Sequence, residues 1–325
     1  MRRLLPPLLL VCLLAAGCGS QTAPADDGAV AAQEVSAGGG LQVVAAVYPF
    51  AWVAGQVAPD AEVDLLNQGA QEAHDLDISP AQRAAIETAD VVLYTGDIDY
   101  QPQVEQAIPA AQGEVVSAAE VAGEESLLEA SQDAHDDHAG EDEGAHSDEA
   151  GGVDPHLWFD PAIMADVAAA TGEAFAAADP DNAQTYTQNA AEVQEQLLAL
   201  GDDLESTLGA DCRFDEAIVS HAAYGYLLEP FGIEQHAVTN AGAEGDASAG
   251  ALAEIVEEIV EEGFTHVLAE PVEGREGAEA VVSETGVELL EILPLDGVTD
   301  SQAGTGLPDL IREQADAFAT ALGCA

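Results

Sequence analysis

The chain of 325 residues carries 62 acidic side chains against six basic ones, all arginine, for a formal net charge of −56. A surface of that sign repels phosphate backbones and anionic lipid headgroups, which excludes nucleic-acid binding. It is also the composition of a solvated surface suited to high salt, where counterions screen self-repulsion, and the length allows one large core or two lobes.

Arg2 and Arg3 precede an apolar run from Leu4 to Leu14, which continues into Ala15-Ala16-Gly17-Cys18. The run is too short for a spanning helix of about 20 apolar residues and sits where a secretory signal belongs. Small residues before a cysteine predict a lipoprotein signal over residues 1–17 and acylation of Cys18, against the alternatives of an ordinary signal peptide or an N-terminal anchor. The mature chain is then outside the cytoplasm. Residues 18–40, ending in Gly38-Gly39-Gly40, read as a flexible tether. Beyond Cys18 the mature chain keeps Cys212 and Cys324, for which a disulfide is the default in an oxidising compartment and two separate buried thiols the alternative.

Order begins with a strand over Leu41–Val47, closed by Tyr48-Pro49-Phe50, and a helix over Ala51–Val57. Glu62–Leu66 is a second strand. Ser79 and Pro80 start a helix that runs to about Thr88, and Val91–Tyr94 is the next strand. Residues 133–149 hold three histidines, eight acidic residues and no large apolar side chain, a composition that cannot pack and predicts a mobile insertion. A long helical stretch covers roughly Pro180–Leu208. After it come a strand at Ala217–Ser220, helices at Ala223–Glu229 and Ala251–Glu262, and a strand at His266–Ala269. A helix at Gly277–Thr285, a strand at Glu288–Leu293 and a helix at Leu307–Leu322 complete the chain. The alternation predicts an α/β fold of two lobes, each a mostly parallel sheet flanked by helices, joined by one long rigid helix. The boundaries are an N-terminal lobe at 41–165, a linking helical region at 166–208 and a C-terminal lobe at 209–325.

The eight histidines fall into groups. His135, His138 and His146 lie in the acidic insertion, while His236 and His266 lie beside or within apolar strand-like runs and read as structural. His74, His156 and His221 each stand on a turn at the end of an element. In Asp154-Pro155-His156-Leu157-Trp158-Phe159-Asp160-Pro161, two Asp-Pro steps stiffen the segment and the aromatic residues can bury and orient the ring. His221 follows a strand in Ser220-His221-Ala222-Ala223-Tyr224-Gly225-Tyr226, at the edge where open α/β sheets bind ligands. His74 ends Gly69-Ala70-Gln71-Glu72-Ala73-His74-Asp75. Separations of 82 and 65 residues suit ligands gathered by a fold and not by a local finger.

These motifs resemble the metal-binding solute-binding lipoproteins of zinc and manganese ABC importers, the ZnuA-like family, over nearly all of residues 41–325. The sharpest is Asp-Pro-His-x-Trp-x-Asp-Pro at 154–161; Glu270-Pro271 after a strand also fits, whereas Ala73 stands where the family usually has proline. The resemblance implies two lobes bridged by a helix with metal in the cleft. It implies His74, His156 and His221 as ligands and a carboxylate as the fourth, with Asp296 aligned to it and Asp300, Glu270 or water as alternatives. It further implies weak auxiliary binding by His135, His138 and His146, and delivery to an ABC permease with its cytoplasmic ATPase. The carrier is then a monomer tethered through Cys18 to the outer face of a bacterial membrane.

Neutral imidazoles with one oxygen donor suit Zn2+, and Mn2+ remains feasible with mixed donors. Asp75 and Asp160 are candidates to orient the rings or to cap local structure. A zinc hydrolase would need a general base beside an open position, and neither His-Glu-x-x-His nor Gly-x-Ser-x-Gly is present. The reading is therefore a binding protein and not an enzyme, with a manganese-specific carrier or a metal-binding surface adhesin as alternatives.

Overall fold

Short β-branched runs alternate with helices from the first described residue onward, and each run becomes a strand buried on both faces or at a sheet edge. The computed structural model describes residues 40–68, 73–74, 76–130, 152–239, 249–271, 274–299, 302 and 304–324. The expected signal at 1–17, Cys18 and the tether as far as Gly39 lie outside these residues.

The first half comprises β1 (Gln42–Ala45), α1 (Tyr48–Val57), β2 (Glu62–Leu65), α2 (Pro80–Thr88) and β3 (Val91–Tyr94). It continues with α3 (Pro102–Glu105), β4 (Glu114–Ser117) and α4 (Ala118–Ala122). Helix α1 starts at Tyr48, ahead of the expected Ala51, because Pro49 falls in its first turn, where the missing N–H costs nothing. Ser79 and Gln82 form a reciprocal capping box at the start of α2. Strand β4 was not anticipated; it is an edge strand with Val115 40 % exposed, and two valines give too short an apolar run to stand out.

The helical region expected at 166–208 is two helices, α5 (Pro161–Ala178) and α6 (Ala183–Leu208). The break is local: the Asp179 carboxylate accepts from Asn182 Nδ2 at 2.7 Å and from the Tyr186 hydroxyl at 2.9 Å, which turns the chain around Pro180. Helix α5 packs on β3 and β4, whereas α6 reaches α1 of the first half and the last helix of the second. Its buried residues Ala190, Val193, Leu197, Leu200, Leu204 and Leu208 recur at spacings of three and four, one apolar stripe along the whole helix. At 1.5 Å per residue its 26 residues span about 39 Å.

The second half comprises β5 (Glu216–His221), α7 (Gly225–Leu228), β6 (Glu234–Thr239), α8 (Ala249–Glu258) and β7 (His266–Ala269). After these come α9 (Arg275–Thr285), β8 (Glu288–Glu291) and α10 (Leu307–Leu322). Both sheets have four parallel strands, ordered β2-β1-β3-β4 and β6-β5-β7-β8, so the halves repeat one topology. One apolar cluster runs continuously through both sheets by way of α1, α5, α6 and α10, and a smaller cluster lies on the outer face of each sheet. Among the described residues no helix is long and apolar enough to cross a membrane.

Cys212 and Cys324 are joined in a disulfide across 112 residues, tying the entry to β5 to the end of α10. The amides of Arg213 and Phe214 both donate to Leu322 O, at 3.0 and 3.1 Å, which places the two cysteines side by side. Closing so long a loop removes unfolded-state entropy, so the double substitution C212S/C324S is expected to lower unfolding free energy by about 2–5 kcal/mol. Urea denaturation measures this, and an unchanged midpoint contradicts it.

Candidate metal centre

Three histidines from three separate segments meet where the carboxyl ends of the two sheets approach each other. Ligand atoms of His74, His156 and His221 all lie within 4.8 Å of one another. Their ring centroids are 5.5 Å apart for His74–His156, 5.5 Å for His74–His221 and 5.1 Å for His156–His221. His156 and His221 are each 1 % exposed. The Nε2 atoms of His74 and His156 are buried and accept no hydrogen bond, an arrangement that leaves lone pairs aimed at a shared centre.

Each ring is positioned differently. His74 follows β2, on a turn whose Ala73 is fully buried and whose Ala73 carbonyl accepts from Gln101 Nε2 at 3.3 Å. Its ring stands edge-on to Tyr100 at 4.8 Å between centroids. His156 heads a single 3-10 turn, Leu157–Phe159, whose three side chains are fully buried. Trp158 packs on the His156 ring at 5.4 Å and donates its indole N–H to Pro294 O at 2.7 Å, so this turn is pinned to the second half. Asp154 Oδ1 accepts from both the backbone N and the Nδ1 of His156, at 2.9 and 2.8 Å. That pair fixes the tautomer with the proton on Nδ1 and the lone pair on Nε2. Gly225 makes room for this carboxylate, since a Cβ there would lie 2.8 Å from Asp154 Oδ2.

His221 is the last residue of β5 rather than the first beyond it. Its Nδ1 lies 3.3 Å from Glu270 Oε1, and that oxygen also accepts from the Tyr224 hydroxyl at 3.0 Å. Glu270 follows β7, with its own amide held by Ser220 Oγ at 3.0 Å. It therefore stands as a buried carboxylate close behind the His221 ring.

Asp296 follows β8, is 6 % exposed, and lies beside the triad without being among the atoms that converge. Its Oδ1 accepts from Gly297 N at 2.6 Å and its Oδ2 from the Tyr100 hydroxyl at 3.4 Å. Of the other candidates, Asp160 caps α5 by accepting from Ala162 N and Ile163 N at 2.7 and 3.2 Å, a structural role. His135, His138, His146, Asp75 and Asp300 lie outside the described residues. His236 and His266 are not core residues: their side chains are 35 % and 16 % exposed, against Glu258 and Glu288 respectively. Asp154 and Tyr100 were not singled out as site residues in advance. The Asp-Pro step announced only rigidity for Asp154, and Tyr100 carries no motif.

The electrostatics favour a cation. Burial, and then the neighbouring His156 and His221, push the His74 imidazole down to about 2, so it is neutral at any physiological pH. Burial, and then the Glu270 charge, push Asp296 up to about 6, partly offset by His156, the Gly297 amide and His221. A positive ion among these groups offsets the cost of an ionised Asp296 and meets a His74 ring that carries no competing proton. The adjoining cavity, about 280 Å³, is lined by His74, Tyr100, Asp154, His156 and Ala222 among others.

The chain is similar to known proteins over nearly all of its described length. Residues 43–321 match the family described as zinc-uptake complex component A, periplasmic. The high-affinity zinc uptake system protein ZnuA of Bacillus subtilis is 27 % identical over 317 residues, covering 95 % of this chain and 94 % of that protein. The zinc-binding lipoprotein AdcA of Streptococcus pneumoniae is 27 % identical over 271 residues, 83 % of this chain but 53 % of its own length. The chain thus spans about half the length of the streptococcal relatives it matches. The crystal structure of the Zn(II)-bound ZnuA-like domain of that AdcA superposes with a TM-score of 0.68 at 24 % identity, covering 87 % of this chain and 99 % of that one.

The Asp154–His156 pair yields a direct test. Replacing Asp154 by alanine frees the His156 ring and its tautomer, and is expected to weaken divalent-metal binding 10–100-fold. Competition with a chromophoric chelator measures the loss; retained affinity would show that packing by Trp158 alone positions the ring.

Proposed function

Because the chain belongs to the zinc-uptake complex component A family, we propose that it captures a zinc ion between its two sheets and hands it to an ABC permease driven by a cytoplasmic ATPase. The observation that carries this reading is the convergence of ligand atoms of His74, His156 and His221 within 4.8 Å, with a His74 ring that burial holds neutral. Imidazole nitrogen is a borderline donor that suits Zn2+ at about 2.0–2.1 Å, and three of them with one oxygen complete a tetrahedral shell. Asp296 is the fourth donor in this reading, exchanging its Tyr100 partner for the ion. Glu270 is committed to His221 and Tyr224, and so supplies orientation and negative field instead. Mn2+ prefers more oxygen donors than this set presents and binds nitrogen sites less tightly than zinc in the general affinity order.

The role is capture and delivery, not catalysis. A shell closed by Asp296 leaves no position for a reacting water, and the nearby carboxylates are engaged as acceptors from histidine and tyrosine. The chain acts as a monomer held at the outer face of a bacterial membrane by a lipid on Cys18. His135, His138 and His146, in their acidic setting, collect the ion weakly and raise its concentration near the cleft.

Zinc titration of the purified protein by calorimetry is expected to give one tight equivalent that His156→Ala abolishes. A tight equivalent that survives the substitution would move the site elsewhere, and no tight equivalent would favour an adhesin over a carrier. The pH dependence follows from Asp296. Its carboxyl binds a proton below about 6 in the metal-free protein, so zinc must displace that proton and affinity falls as pH drops through about 6. His74, at about 2, adds no proton competition in that range. Asp296→Asn is therefore expected to flatten the affinity profile between pH 5 and 7; an undiminished slope would remove Asp296 from the shell.

A further inference from the structure

A second convergence of metal-ligating side chains lies at the opposite end of the second sheet. Glu216 opens β5, His236 sits in β6 and Glu258 ends α8, and one ligand atom from each lies within 4.8 Å of the others. The sheet register explains the meeting. Glu216 pairs with Glu234 and Ile218 with His236, so Glu216, Ile218 and His236 share one face. Ile218 and Val238 on that face pack against Ile255 and Ile259, which brings the end of α8 over the two polar side chains. His236 Nδ1 stands 2.7 Å from Glu258 Oε1, an oxygen itself shielded from solvent. The helix then widens into a π turn at Ile259–Gly263, a feature often kept where a side chain must be aimed.

The cluster is anionic and half-buried. Glu216 is held above the usual carboxylate range by burial first, with Glu258, Asp215 and Glu234 adding to it and His236 offsetting it. Three of the four described arginines are engaged elsewhere, Arg275 with Glu279 and Glu291, Arg312 with Asp203 and Asp309, and Arg213 over the Phe214 ring, while Arg83 lies in α2 of the first half. One imidazole nitrogen and two carboxylate oxygens from three elements carry two negative charges, which a divalent ion neutralises.

We propose that Glu216, His236 and Glu258 form a second divalent-metal site, which takes a first-row ion such as Zn2+ or Mn2+ through one nitrogen and two oxygens, with water completing the shell. The site shares no residue with the histidine triad: the six residues of β5 separate Glu216 from His221 by about 16 Å at 3.3 Å per residue. It stands or falls independently of the carrier reading. Its binding clips β5, β6 and α8 together, and an ion bound only to the folded state raises stability by mass action.

The test uses zinc chloride as the probe on the full chain. Anomalous diffraction from soaked crystals is expected to show a peak about 2.0–2.2 Å from Glu216, His236 and Glu258, separate from any cleft peak and lost in Glu216→Gln. In solution, a His156→Ala chain, with the triad disabled, is expected to keep a zinc-dependent rise in Tm that adding Glu216→Gln removes. Glu216 is half-exposed at a strand start, so the amide folds as the acid does. No peak at His236 when the cleft peak is full overturns the proposal. So does a peak seen only at crystal concentrations with no shift in solution, which is an adventitious ion only. A Tm rise that Glu216→Gln leaves intact overturns it as well.

Discussion

In an open parallel sheet the carboxyl ends of the strands are where a ligand meets converging side chains, because the faces are covered by crossover helices and the strands are paired along their length. Here that constraint operates twice, and the two carboxyl-end edges meet. His74 follows β2, His221 ends β5, Glu270 follows β7 and Asp296 follows β8, so four polar residues of the site arrive by the same route. Tyr100, beyond β3, arrives that way too. His156, with Asp154 beside it, does not come from a strand end. It is delivered by the 3-10 turn before α5, whose buried Leu157, Trp158 and Phe159 make it part of the core rather than of a loop. The apolar cluster that runs through α1, α5, α6 and α10 keeps both edges in place, which is why the long stripe of α6 matters to a site it does not touch.

The electrostatic arrangement is unusual for a chain with a net charge of −56. Its exposed carboxylates are screened by water and salt, while the few that are buried near the site are each matched to a donor. Asp154 serves two N–H groups of His156, and Glu270 serves His221, Tyr224 and Ser220 through its own amide. The titrations of His74 and Asp296 oppose each other in the linkage to folding. His74 is depressed to about 2, so the folded chain forgoes a proton that the unfolded chain binds below its usual 6.5, and stability is lost as pH falls below that value. Asp296 is raised to about 6, so the folded chain holds a proton the unfolded chain has shed, and stability is lost as pH rises from 3.8 toward 6. Above about 6 the folded site therefore holds a poorly solvated carboxylate beside the neutral His74 ring, a state that a bound cation relieves.

The sequence made much of this legible because the relevant signals were local. Ser79-Pro80 marks a helix start that the capping box then fixes, and the paired Asp-Pro steps mark the turn that buries His156. The histidines stood out because each sits among turn residues and not within a core pattern. What stayed hidden depended on distant partners. The role of Asp154 rests on a hydrogen bond to a ring two residues away and on space left by Gly225, which no spacing rule encodes. Tyr100 gains meaning only from Asp296, 196 residues later. The cluster of Glu216, His236 and Glu258 depends on strand register, and His236 beside Ala237 and Val238 reads only as a structural histidine in a strand-like run. The long helix is legible from about Pro180, close to where α6 begins, but α5 stays undivided within the linking helical region, its alanine-rich sequence giving little periodic contrast.

The three imidazoles are not equivalent donors, and their inequality follows from what stands behind each. His156 and His221 are each backed by a buried carboxylate, which fixes the ring and raises its basicity toward a metal. His74 is backed, among the described residues, by the edge of the Tyr100 ring and is only partly buried. Tyr100 also bonds Asp296, so one aromatic side chain touches both the least anchored imidazole and the carboxylate beside the triad. In the proposed carrier, two firmly held rings and two adaptable groups joined through Tyr100 would let an ion gain or lose part of its shell without disturbing the packed turn and strand that hold the rest.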